Sequence, residues 1–211
     1  MSTAETIFAV VITLASATGL LLTSRILEGP GKLRRQMFRY YTSLSNAAVL
    51  LTHALLLFPG PVREALRTST ARYMTVLCIL VTFIIYFFVL TRFGRTGEDT
   101  LRALGVRRTA NFFVHYLVPA LTVVEWLTAA DRHGLTLADA LLWLLIPLCY
   151  LVFCAQRASA GAEIGATGRL WPYSFMDLQR LGLRRWMGNM LLILAGFFAL
   201  GLFLLGVSRL I

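Results

Sequence analysis

Charge is what this chain has least of. Of 211 residues only 14% are charged and ten are acidic, against 58% hydrophobic. That leaves too little polar surface to cover a water-soluble fold. Histidine and cysteine are limited to three each, and Cys78, Cys149 and Cys154 all fall in apolar surroundings. Three such cysteines exclude a disulfide framework and a zinc cluster, and they read as packing residues; no metal and no other cofactor is expected. Internal repeats, low-complexity tracts and linker-length polar runs are also missing, so one domain over residues 1–211 is the simplest organisation.

What the chain does have is long apolar runs, and its mean hydropathy is +0.73. Runs near twenty residues fall at Thr6–Ser24, Tyr41–Phe58, Arg72–Leu90, Thr109–Thr128, Leu137–Cys154 and Met187–Ser208. At about 1.5 Å per residue, each is long enough to cross a hydrocarbon core as a helix. The runs are continuous rather than alternating, and bare backbone is not tolerated in lipid, which excludes barrel strands. The expected fold is all-α: a polytopic integral membrane protein built as a bundle of six transmembrane helices. The first run follows Glu5 with no basic residue before it and no clear small-residue cleavage site, so it reads as a retained helix and not a removed signal peptide.

A formal charge of +10 suggests nucleic acid in a soluble protein, but in this setting the placement of each charge matters more than the total. Arg25, Lys32, Arg34, Arg35 and Arg39 follow the first run. Arg92, Arg95, Arg102, Arg107 and Arg108 follow the third, and Arg157, Arg169, Arg180, Arg184 and Arg185 the fifth. The opposite face holds only Arg63, Arg67, Arg72, Arg132 and Arg209. By the positive-inside rule the connections after the first, third and fifth runs are cytoplasmic and both termini lie on the outer side, as in a protein of the bacterial inner membrane. The expected partners are membrane lipids and not nucleic acid; nothing in the residues sets an oligomeric state.

Polar side chains within a span are costly, which makes them the first candidates for function. Thr42, Ser43, Ser45 and Asn46 open the second run, Asn111 and His115 open the fourth, Glu125 is deeper, and His53 lies near the far end of the second run, away from this group. The second and fourth helices start from the same face, so Thr42 and His115 share a depth. Helical spacing puts Thr42 with Ser45 and Asn46 on one stripe and Asn111 with His115 on another. A hydroxyl becomes a nucleophile when a neutral imidazole takes its proton, and an amide such as Asn46 or Asn111 can donate to the oxyanion that follows. Ordinary roles compete with these. Thr42 or Ser43 also reads as a helix cap, His115 as an interhelical hydrogen-bonding residue, and Glu125 as a partner for Arg72 or another group near the outer leaflet, or as a protonated packing residue. The stretch Trp171–Asp177 reads as an aromatic membrane-surface anchor or as a lid, and Ala15 with Gly19 as a small-residue packing pair.

Three patches together resemble the androgen-induced-gene and FAR-17a-like family of six-span membrane proteins. They are Tyr40-Tyr41-Thr42-Ser43-Leu44-Ser45-Asn46, then Asn111 to His115 continuing through Pro119 to Glu125-Trp126, and Trp171-Pro172-Tyr173 with Phe175 and Asp177. Their order and span numbers agree, so the likeness covers the whole chain. Animal members are threonine hydrolases that cleave fatty acid esters of hydroxy fatty acids with one threonine and one histidine. The resemblance implies an acyl-ester lipid substrate, Thr42 as nucleophile and His115 as general base, with Ser45, Asn46 and Asn111 as supporting or oxyanion groups.

Other classes remain open. A lipid-binding or assembly protein without chemistry fits the same composition. A transporter lacks the expected interrupted helix pair, and a metal enzyme on His53, His115 and Glu125 needs side chains from different depths in one coordination sphere.

Overall fold

The structure is a computed structural model that describes residues 1–90, 106–164 and 168–211, the side chains of Pro30, Val106 and Arg107 excepted. Arg92, Arg95 and Arg102 of the second basic connection lie outside the described residues, as does the side chain of Arg107. All regular structure among the described residues is helical. Five helices there are long and apolar enough to cross a membrane: Thr3–Ser24, Ser69–Leu90, Arg108–Thr128, Leu137–Ser159 and Leu183–Ser208.

Helix α1 (Thr3–Ser24) opens on a reciprocal cap. The Ser2 hydroxyl accepts from the Glu5 amide at 3.1 Å, and the Glu5 carboxylate accepts from the Ser2 amide at 2.6 Å, closing two N–H groups that the first turn leaves open. Helix α2 (Tyr41–Leu56) has 16 residues and is shorter than the run read from sequence. Its N-cap is Tyr40, with no side-chain cap bond, so neither Thr42 nor Ser43 is used as a cap. The chain then turns at Gly60, whose φ of 145° suits glycine, and Pro61 starts the short α3 (Pro61–Arg67) at the helix position proline tolerates best. Helix α4 (Ser69–Ile84) is capped by the Thr68 hydroxyl and widens into a π-helical stretch over Ile85–Leu90.

Helix α5 has three parts: Val106–Phe112, a π turn at Phe113–Leu117, and Val118–Thr128. Helix α6 runs over Leu137–Leu142 and Leu145–Ser159. The break between them has a local cause: Pro147 has no N–H for the Trp143 carbonyl, which instead accepts from Ile146 at 3.1 Å. After the short α7 (Leu178–Leu181) comes α8 (Leu183–Ser208), which begins four residues before the apolar run and takes Arg184, Arg185 and Trp186 into its first turn.

The chain divides into two compact units, Met1–Gly134 and Leu135–Ile211. In the first, α1 packs on α2 and α5, and α4 packs on α2 and α5. Ile12, Ala15, Val49, Ile79 and Val118 are buried together with Phe8, Phe113, Leu117 and Leu121 around them. In the second, Trp171 and Met176 join Cys154, Ala158, Ile164 and Met190 in a buried cluster. The indole N–H of Trp171 donates to Gln179 Oε1 at 2.6 Å and that of Trp186 to the Met176 carbonyl at 2.9 Å. The amide of Asn189 donates to the Phe175 carbonyl at 3.1 Å. Trp171–Asp177 is therefore a packed part of its own unit, with the Trp171 indole donor bonded within it.

Candidate active site

Proline sets the geometry of the candidate site. Pro119 follows the π turn of α5, where the Val118 amide bonds to the Phe113 carbonyl, five residues back. In a regular α-helix that amide would serve Val114. In the widened register the Val114 carbonyl would look to residue 119, which has no N–H. The orphaned carbonyl is taken up across the helix interface: Asn46 Nδ2 on α2 donates to Val114 O at 3.0 Å and to the carbonyl of Thr42 at 2.8 Å. Asn46 is fully buried, so this one amide holds the start of α2 against the turn that carries His115.

The ring of contacts closes through α4. The Ser45 hydroxyl lies 3.0 Å from the Thr42 carbonyl and 2.7 Å from the Thr82 hydroxyl. A consistent assignment has Thr82 donating to Ser45 and Ser45 donating to Thr42. The imidazole of His115 lies against the main chain of Thr82, and its Nδ1 is buried with no hydrogen-bond partner. In the neutral tautomer with its N–H on Nε2, Nδ1 carries a free lone pair. Tyr86, on the π stretch of α4, stacks on the imidazole with ring centroids 3.7 Å apart and planes 15° from parallel, and Tyr116 meets Tyr86 edge-on at 5.8 Å. The histidine is thus held between the Thr82 main chain and a ring on one face, with Nδ1 uncommitted.

Among the candidates read from sequence, Ser45, Asn46 and His115 fall into one network with the main chain of Thr42. The Thr42 side chain is half-buried at the same end of α2, and Asn111 is half-buried one turn before His115. Both Nδ2 hydrogens of Asn46 are committed to carbonyls, which leaves it no N–H for an oxyanion; its role in this geometry is to join two helices. Thr82 and Tyr86 were not among the candidates. Their i, i+4 spacing on one helix face is the only sequence signal that pairs them, and it is common to most helices.

Helix α1 supports the turn from behind. A Cβ on Gly19 would lie 2.9 Å from Val114 Cγ1 and 3.0 Å from Phe113 Cβ, closer than packed carbons tolerate. Gly19→Val is therefore expected to push α1 off the π turn and lower stability by about 1–3 kcal/mol, with Gly19→Ala milder. Thermal unfolding in detergent measures this, and a valine variant melting with wild type would show that the contact is not tight.

A second polar cluster is buried in the same unit. Arg72 of α4 forms an ion pair with Glu125 of α5, and His53 Nε2 of α2 lies 3.8 Å from the other Glu125 oxygen. The three are 7%, 2% and 1% exposed. His53, which the sequence set apart from the other polar residues, belongs here with Glu125. Among the described residues no group of three His, Cys, Asp or Glu side chains is arranged to hold a metal ion. No protein-family model matches the chain, and no curated protein or solved structure shows significant similarity to it.

Proposed function

We propose that this protein is an integral membrane hydrolase of acyl-ester lipids, related to the androgen-induced-gene and FAR-17a-like threonine hydrolases. In this reading it has six spans, with α2 and its apolar continuation to Phe58 as the second. The three basic connections are cytoplasmic and both termini outside, as in a bacterial inner membrane. Five helices of spanning length and apolar character support the membrane part.

Thr42 Oγ attacks the ester carbonyl and His115 Nδ1 takes the hydroxyl proton. Collapse of the tetrahedral adduct expels the alcohol, which recovers that proton from His115. Water, deprotonated by the same imidazole, then cleaves the acyl-threonine and frees the acid. The observation that carries this reading is the polar ring through Thr42, Asn46, Val114, His115, Thr82 and Ser45, which ties the two helices together while leaving the His115 Nδ1 lone pair free. A hydrocarbon-side ester reaches such a site without leaving the membrane, since its acyl chains can lie between helices.

One observation favours a second reading, a lipid-binding protein without chemistry. With both Asn46 donors committed, no side-chain amide of the ring is left to stabilise an oxyanion. Labelling of the purified protein with a fluorophosphonate probe separates the two. The hydrolase is expected to be labelled on Thr42 and to lose labelling in Thr42→Ala and in His115→Ala. Equal labelling of all three proteins overturns it, and no labelling where a related hydrolase reacts favours the binding protein.

A further inference from the structure

The Arg72–Glu125–His53 cluster lies outside the candidate active site, and one of its contacts is electrostatically incomplete. His53 Nδ1 is 2.8 Å from the carbonyl of Val49. A carbonyl only accepts, so Nδ1 carries a hydrogen and, in a neutral ring, Nε2 carries a lone pair. That lone pair faces Glu125 Oε2 at 3.8 Å, and Nε2 has no hydrogen-bond partner. A nitrogen lone pair and a carboxylate oxygen turned toward one another, both in fully buried side chains, repel and leave Nε2 an acceptor without a donor.

We propose that His53 and Glu125 hold one proton between them and form a proton-binding site inside the helical unit. The proton comes from solvent and joins Nε2 of the imidazole; no electrons move and no other bond breaks. It turns the repulsive contact into a charge-assisted hydrogen bond from Nε2 to Oε2, for which the 3.8 Å separation must close by about 1 Å. Arg72 repels a second cation, so the site is stable only for a proton lying against the carboxylate.

The charges around the site form a graded path to its outer end. Glu64 on α3 has a side chain 59% exposed and pairs with Arg67, at 36%. Arg67 pairs with Glu5 of α1, at 16%, and Glu5 and Arg67 are the charges that act on Arg72 from outside the pair. The remaining titratable neighbour is Tyr73 of α4, which packs on Trp126 beside Glu125. Arg63 with Glu64, Arg67 with Glu5 and Arg72 with Glu125 offset one another, so the bound proton is the one net charge of this group. Its presence joins α2 to α5, the same two helices that carry Thr42 and His115, so occupancy set by pH at the Glu64 end reaches both.

The test is nitrogen NMR of protein with labelled histidine, held in lipid nanodiscs and titrated from mildly acid to alkaline pH. His53, His115 and His133 are told apart by His115→Gln and His133→Gln. His53 is expected to show a protonated Nε2 near neutral pH, to change to the neutral Nδ1–H form on alkaline titration, and to make that change at lower pH in Glu125→Gln. A His53 that stays in the neutral Nδ1–H form throughout overturns the proposal, as does an unchanged transition in Glu125→Gln. The wild-type spectrum decides the first point whether or not the variant folds.

Discussion

Glu125→Leu is expected to lose about 3–5 kcal/mol of stability, more than any other single change at the buried ion pair. The reason is an asymmetry between the partners. Arg72 is 7% exposed and bonded to Glu125, and a guanidinium does not give up its proton in a protein, so removing the carboxylate leaves a buried cation with no partner. Arg72→Met is expected to cost less, because an abandoned Glu125 can bind a proton and become neutral. Arg72→Met together with Glu125→Leu is expected to recover most of the loss, since no charge is left to bury. Unfolding of the four proteins in one detergent measures the order: wild type and double variant close together, Arg72→Met below them, Glu125→Leu lowest. A Glu125→Leu protein as stable as Arg72→Met would mean that the guanidinium reaches another anion, for which Glu5 is the nearest candidate.

The long helices were legible in the sequence because continuous apolar runs report burial in an apolar setting and little else is needed. Their ends were less so. Ser2 and Glu5 lengthen α1 through a cap that hydropathy does not register, and α8 takes in Arg184 and Arg185 although both lower the apolar average. Glu125 and Arg72 could be paired in advance, since each is too costly to bury alone. His53 was set apart from them because it lies near the far end of the run Tyr41–Phe58, yet the packing of α2 on α5 brings it level with Glu125. In Trp171–Asp177 composition alone does not show packing, since aromatic residues with a proline suit a membrane surface and a small packed core equally; the 4% exposure of Trp171 shows that the segment contributes to the core of its own unit. The π turns left the weakest trace. Periodicity says which face of a helix is buried, not whether an amide bonds four or five residues back, and only Pro119 signals that the ladder must change there.

That proline provides the sharpest separation of function from stability. Pro119→Ala restores an N–H after the turn, so the His115 carbonyl regains a donor and the Val118 amide can return to Val114, closing the turn into regular α-helix. Val114 is then lost to Asn46, and the one-residue change of register swings His115 away from the Thr82 main chain and the Tyr86 ring. Proline in a helix interior is about 3 kcal/mol less favourable than alanine, while the lost Asn46 bond is worth about 1 kcal/mol. The variant is therefore expected to melt at or above the wild-type temperature. In the proposed hydrolase, fluorophosphonate labelling of Thr42 should nevertheless fall by about 100-fold, the scale of loss when a catalytic group is displaced by an ångström. A Pro119→Ala protein labelled at the wild-type rate would show that the π turn does not aim the imidazole; one that is both unlabelled and unstable would show that the proline matters for packing first.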